Sequence, residues 1–213
     1  YFSRDEGIRA DATMESLGAL KPLEGGVVTA GNASQQNDAA AACLVVAEDK
    51  VAELGLTPML WFTGWAAAGC DPARMGIGPV PAAEKALRQA GLTIDDIGLF
   101  ELNEAFAVQV LAFLEHFGIA DDDPRVNEYG GAIATGHPLA SSGVRLMTQL
   151  AAQFAEHPYP LGQLDQRHDE RQCATGHARG VVHDVAVDRP LPRCDDVVRR
   201  AVDAVLASRC PRR

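Results

Sequence analysis

The chain has 213 residues, 47% of them hydrophobic, with 19 basic and 29 acidic side chains for a formal charge of −10. That length buries a substantial core in one domain or one and a half, and the acidic balance argues against nucleic acid or an anionic membrane as the main partner. No apolar run approaches the ~20 residues that cross a bilayer. Five Cys without regular spacing fit a reducing, cytoplasmic setting better than a disulfide framework.

Residues 1–26 are mixed and polar, with turn signals at Lys21-Pro22 and Gly25-Gly26. They read as a linker or the end of a missing N-terminal domain, since the chain opens without Met and without signal-peptide character. Residues 27–30 are expected as a short strand and 31–34 as a turn. Residues 39–48, almost wholly apolar, predict a buried segment, a helix running into a strand. A short helix over 50–54 stops at Gly55, and 60–67 reads as a second strand. Met75-Gly76-Ile77-Gly78-Pro79-Val80-Pro81 is a rigid loop, with Pro81 suited to the first turn of a helix over 82–90 that Gly91 ends. Residues 93–96 turn into a buried strand, Ile97-Gly98-Leu99-Phe100, followed by an apolar helix from about 104 to 117. The Gly-rich turn 129–136 leads directly into another helix. This alternation predicts an α/β domain over 27–157, a mixed sheet packed between helix layers.

Two polar groups stand at strand-to-helix turns. Asn103, in Asn103-Glu104-Ala105-Phe106, follows the buried strand, and His137, in Gly136-His137-Pro138, ends the Gly-rich turn. Turns opening on one edge of a sheet bring such groups together, and an amide beside an imidazole can bind an oxyanion. Taken singly, Asn103 also suits a helix N-cap, His137 a structural turn, Ser34 a turn former and Met75 a core filler. Neither Cys43 nor Cys70 has Cys or His neighbours at metal-ligand spacing, so no metal site is expected.

Four blocks share one resemblance: Val28-Thr29-Ala30-Gly31-Asn32-Ala33-Ser34, Met75 through Pro81 with Ala82, Glu101-Leu102-Asn103-Glu104-Ala105-Phe106-Ala107, and Gly130 through Leu139. In this order and spacing they resemble the C-terminal half of thiolases, the acetyl-CoA acetyltransferases and 3-ketoacyl-CoA thiolases, over about residues 4–157. The resemblance implies a thiolase-like C-terminal domain and reversible acyl transfer between acyl-CoA and CoA. It implies no cofactor beyond the coenzyme A thioester substrates. By motif, His137 would be the base that activates a nucleophilic Cys, and it would share an oxyanion hole with a water held by Asn103. Ser34 would contact CoA, while Met75 and Phe106 would line the acyl end of the pocket. The partners implied are acyl-CoA, CoA and an N-terminal thiolase domain, in a homo-oligomer when complete.

The sequence departs from the family pattern in three places. The family nucleophile belongs to an N-terminal half, so this chain is expected to be a fragment without it and inactive alone. Tyr129 and Ala140 stand where the family usually has Asn and Gly. The proton-shuttle Cys of the family lies some 30 residues after the His, in a Gly-rich loop; Arg167 stands at that distance, and Cys173 is the nearest Cys. The tail, 158–213, is atypical and expected to be irregular, without a strand to complete the sheet, apart from a helical pattern over 195–208. It carries ten Arg, no Lys and eight acidic residues, a net of +2 against −12 for residues 1–157. This composition and the abrupt loss of resemblance point to a shifted reading frame from near Pro158, with a genuine but divergent C-terminus as the competing account. The nucleotide sequence checks it: an alternative frame after residue 157 encoding a Cys-x-Gly-Gly-like loop is the expected outcome, and its absence defeats the idea. A non-catalytic CoA-binding or partner-binding remnant of the same fold is the alternative function.

Overall fold

The computed structural model describes residues 3–62, 64–156 and 180–182. In chain order the elements are α1 (Met14–Gly18), α2 (Glu48–Val51), a 3-10 segment (Pro72–Ile77), α3 (Pro79–Ala90), a 3-10 turn (Ile94–Asp96), β1 (Leu99–Glu101), α4 (Ala107–Phe117), α5 (Ala132–Thr135), α6 (Leu139–Glu156) and β2 (Gly180–Val182). Among the described residues no helix is long and apolar enough to cross a membrane.

β1 is the buried axis of this α/β unit. All three of its residues are buried, and Phe100 is fully so. Side chains alternate across a strand, and the two faces of β1 meet different helices. Phe100 joins Val80, Ala83 and Leu87 of α3 and Phe113 and Leu114 of α4 in one cluster that Ile97, Leu102 and Ile119 complete. The Phe100 and Phe113 rings meet edge-on with centroids 6.4 Å apart, a geometry the ring quadrupoles favour. On the other face Glu101 Oε1 accepts a hydrogen bond from Gln149 Nε2 of α6 at 3.1 Å, and Leu146 and Leu150 of α6 are buried.

The helices that flank β1 start and stop where local chemistry dictates. Pro79 and Pro81 occupy the first turn of α3, where a missing N–H costs nothing. α3 and α4 end alike, at left-handed Gly91 (φ 66°) and Gly118 (φ 67°), and the following Leu92 and Ile119 donate back to Leu87 and Leu114. In this closure the glycine satisfies the last carbonyls and returns an apolar residue to the core.

Both edges of β1 are used. One pairs in parallel with β2, Phe100 opposite Val181. On the other, Phe100 N donates to Arg125 O and Asn127 N to Phe100 O, each at 2.8 Å. β2 corrects the expectation of a tail without a strand: Gly180–Val182 supplies backbone partners to an edge of β1 that burial would otherwise leave without any. Cys173 and the helical pattern over 195–208 lie outside the described residues.

The apolar segments before residue 72 also differ from expectation. Among the described residues, 27–30, 39–48 and 60–67 form no strand or long helix; Leu44, Val45, Phe62 and Trp65 are each more than half exposed. An apolar run becomes a strand only when a neighbour accepts its backbone bonds and covers its side chains, and no described element does so here. Every buried hydrophobic residue among those described lies between Val80 and Ala151.

Glu101 makes this core sensitive to pH. Burial pushes its carboxyl up to about 7 from 4.5, against the stabilising pull of Gln153, Arg145 and Gln149. Between these values the unfolded chain ionises Glu101 while the folded chain holds the proton. The associated stability is therefore complete below pH 4.5 and lost as pH rises through 7, in all about 3 kcal/mol. We expect Glu101→Gln to remove this slope. Urea unfolding of both proteins from pH 5 to 8 checks it: the variant gains on the wild type as pH rises, and parallel profiles would contradict the assignment.

Candidate functional site

Three loops converge beyond the C-terminal end of β1. The first carries Asn103. Its backbone is held by Asn127, whose side-chain Oδ1 accepts from Leu102 N at 2.8 Å while Nδ2 donates to Leu102 O at 3.0 Å. Asn127 adopts φ 48°, a left-handed conformation that Asn tolerates better than most residues. Its Nδ2 also donates to Glu104 Oε1 at 2.7 Å. Gln109 Nε2 of α4 donates to Asn103 O at 3.3 Å.

The second loop carries His137. α5 is a single turn that ends at Gly136 (φ 93°), and a Cβ there would overlap the Asn37 amide. His137 follows, and the Gly-His-Pro turn starts α6. The third loop, residues 32–35, ties the other two together. Ser34 N and Oγ both donate to Ala105 O at 3.0 Å, Ala107 N donates to Asn32 O at 2.9 Å, and His137 N donates to Gln35 O at 3.0 Å.

The result is a direct contact between residues 34 positions apart: Asn103 Nδ2 lies 3.2 Å from His137 Nε2. The other ring nitrogen, Nδ1, lies 2.7 Å from Ser142 Oγ. Ser142 is buried, and its hydroxyl donates to Pro138 O at 3.0 Å. A hydroxyl has one proton to donate. With that proton on Pro138 O, Oγ accepts from Nδ1–H, and the network assigns the Nε2 lone pair to the Asn103 side. Nε2 is therefore the basic nitrogen, and the amide N–H faces it. If Nε2 takes up a proton, it and Nδ2 become two donors at one position, the arrangement that holds an oxyanion. Asn103 Oδ1 is buried without a hydrogen-bond partner among the described residues.

Among the residues expected at the site, His137, Asn103 and Ser34 come together. Ser34 spends its proton on Ala105 O and keeps lone pairs to accept from a ligand N–H. A small cleft beside Asn103 is lined by Pro79, Leu102, Gln109, Val110 and Phe113; Met75 and Phe106 do not line it. Met75 is 68% exposed on the 3-10 segment that packs against α4, and Phe106 is the N-cap residue of α4, bridged to Ala33. Sequence alone does not mark Glu104, Asn127 or Ser142 as site residues. Glu104 lies inside the Asn103 block, and Ser142 stands five residues after His137, near the start of α6. Asn127 carries only the weak signal of an Asn in a turn region.

The family model described as "Thiolase, C-terminal domain" matches residues 56–164, and "Thiolase, N-terminal domain" matches residues 1–49. The chain is 50% identical over 166 residues to a 3-ketoacyl-CoA thiolase of Aeromonas hydrophila, covering 76% of this chain and 43% of that protein. It is 49% identical over 153 residues to one from Escherichia coli O139:H28, covering 70% and 40%. Among solved structures it resembles the Bacillus anthracis acetyl-CoA acetyltransferase (TM-score 0.68, 41% identity, 73% of this chain and 39% of that one). It also resembles human mitochondrial 3-ketoacyl-CoA thiolase in complex with CoA (TM-score 0.64, 40% identity, 73% and 39%). The chain spans about two-fifths of the length of the curated relatives it matches.

Gly131, at the N-cap of α5, tests how tightly the loops are joined, because a Cβ there would overlap the Glu104 carboxylate. Gly131→Ala is expected to cost about 1–3 kcal/mol through overpacking. Gly98→Ala, whose added methyl meets nothing, serves as the control. Equal denaturant midpoints for the two variants would show that the loops yield freely.

Proposed function

Because this chain belongs to the thiolase family, we propose that it is the portion of an acyl-CoA C-acyltransferase that supplies the base and the oxyanion-binding amide. The reaction is reversible exchange between two acyl-CoA molecules and a 3-ketoacyl-CoA plus CoA. The observation that carries this reading is the 3.2 Å contact between Asn103 Nδ2 and His137 Nε2.

In this reading His137 Nε2 takes the proton of a cysteine thiol and leaves a thiolate, the form that attacks a thioester carbonyl. Ser142, as acceptor at Nδ1–H, holds the ring in the tautomer whose lone pair lies on Nε2. Protonated His137 then presents Nε2–H to the developing oxyanion. Asn103 contributes through its amide, and its Oδ1, without a partner among the described residues, suits it to orient a water without exchanging protons. Ser34 contacts the CoA moiety, and Met75 and Phe106 border the acyl end once the remainder of the fold is in place. The nucleophile belongs to a Cys-bearing N-terminal part, and the reading needs no cofactor besides the CoA thioesters. A cytoplasmic homo-oligomer completes the proposal.

A second reading, a non-catalytic CoA-binding or partner-binding remnant, is favoured by one observation. Leu44, Val45, Phe62 and Trp65 form exposed apolar surface that a partner would cover.

CoA-dependent cleavage of acetoacetyl-CoA, followed by loss of the thioester absorbance, tests both. We expect no turnover from the 213-residue chain alone, and turnover when a Cys-bearing N-terminal part is supplied. His137→Ala then abolishes it, and Asn103→Ala lowers it by about 10²–10³. Turnover by the chain alone that vanishes in His137→Ala would move the nucleophile into this chain. No turnover in any combination, with CoA still bound, would favour the remnant.

A further inference from the structure

Asn127 and Glu104 stand out because their side chains are spent on backbone and on each other. Asn127 is the one non-glycine residue at positive φ among the described residues, and it is 8% exposed. Its amide reproduces a strand pairing: Oδ1 takes the N–H and Nδ2 takes the C=O of Leu102, the residue before Asn103. Its backbone N–H meanwhile donates to Phe100 O. The amide therefore continues, by one step, the pairing of β1 past the point where the main chain of residues 125–127 turns away.

Glu104, the residue after Asn103, completes the frame. One carboxylate oxygen accepts from Asn127 Nδ2 at 2.7 Å, and the other accepts from Ile133 N at 3.1 Å, at the start of the turn that ends at His137. Gly131 has no Cβ, and that leaves room for this carboxylate. Asn103 is thus held on both sides, and one of its two supports also reaches the His137 loop. We propose that Asn127 and Glu104 are a positioning pair that sets the Asn103–His137 contact without touching substrate. Its functional meaning rests on the reading of Asn103 and His137 as base and oxyanion partner; the geometric claim does not depend on turnover.

The chemistry makes the pair separable from ordinary packing. A carboxylate accepts from both donors at once, whereas a glutamine of the same shape turns its NH2 toward one of them. Glu104→Gln therefore breaks one link at nearly constant volume. Asn127→Ala removes both bonds to Leu102 and the bond to Glu104.

The readout is the tautomer of His137 in the full 213-residue chain, from long-range ¹H–¹⁵N spectra, with His137→Gln identifying the signals. The wild type is expected to be mainly the Nδ1–H form. Asn103→Ala moves the ratio toward Nε2–H by about fivefold, the equivalent of one hydrogen bond. Asn127→Ala and Glu104→Gln are expected to move it in the same direction by a similar factor. Added to Asn103→Ala, either should produce no further shift, because they act through the same contact. If Asn127→Ala does not fold, the isosteric Glu104→Gln carries the test. Variants with a lowered Tm and an unchanged tautomer ratio would reduce the pair to a stability role and overturn the proposal. A wild type dominated by Nε2–H would overturn the assignment of the contact itself. Absence of turnover from the wild-type chain supplied with a Cys-bearing N-terminal part, with these spectra as expected, would count against the proposed reaction and leave the positioning role standing.

Discussion

The two backbone bonds of Phe100, to Arg125 and from Asn127, hold the chain at the point from which the rest of the site is built. They align residues 125–127 beside β1, so that the chain leaving this segment and the chain leaving β1 emerge on the same edge. Phe100 is able to make them because its ring is packed against α3 and α4 and stacked by the Arg125 guanidinium, 5.3 Å from the ring centroid. Arg125 is itself fixed by Asp123, whose carboxyl its guanidinium holds below the usual range, and by Ile97 O. A fully buried strand has no water to satisfy its amides, so these pairings are obligatory.

From that anchor the geometry follows in short steps. β1 ends at Glu101, Leu102 is caught by the Asn127 amide, and Asn103 is the next residue. On the neighbouring chain Gly131 and Gly136 allow the single turn of α5 to lie against Glu104 and Asn37, and His137 is delivered beside Asn103. Residues 32–35 clip both loops from outside. The site is precise because each turn is bonded to another turn by groups wholly or partly buried from water.

A different balance holds before residue 72. Those residues carry apolar runs as hydrophobic as the core of the packed unit, yet their side chains remain in contact with solvent. The difference is one of partners. β1 has residues 125–127 and β2 on its edges and helices on both faces, while residues 39–48 and 60–67 have no ladder among the described residues. Family membership together with coverage of two-fifths of the relatives' length accords with this, since a layered α/β fold buries such runs only when its other layers are present.

Local signals were enough for α3 and α4, because the Pro start of α3, the Gly ends of both and their apolar periodicity act within a few residues. The same is true of the buried β1 and of the two turns that carry Asn103 and His137, since each is marked within a few residues by an apolar run or a Gly-rich turn. What the sequence could not determine is whatever depends on a distant partner. The strands expected at 27–30 and 60–67 needed neighbours that are not described, and β2 depends on an edge of β1 that lies some 80 residues earlier in the chain. Ser142 as the acceptor of His137 Nδ1–H, and Asn127 as the clamp on Leu102, arise only once folding brings their polar atoms within hydrogen-bonding distance. Apolar periodicity and turn chemistry are local properties and can be read along the chain. A hydrogen bond between residues 25 or 34 positions apart exists only in three dimensions, and it is these bonds that turn two motifs into one site.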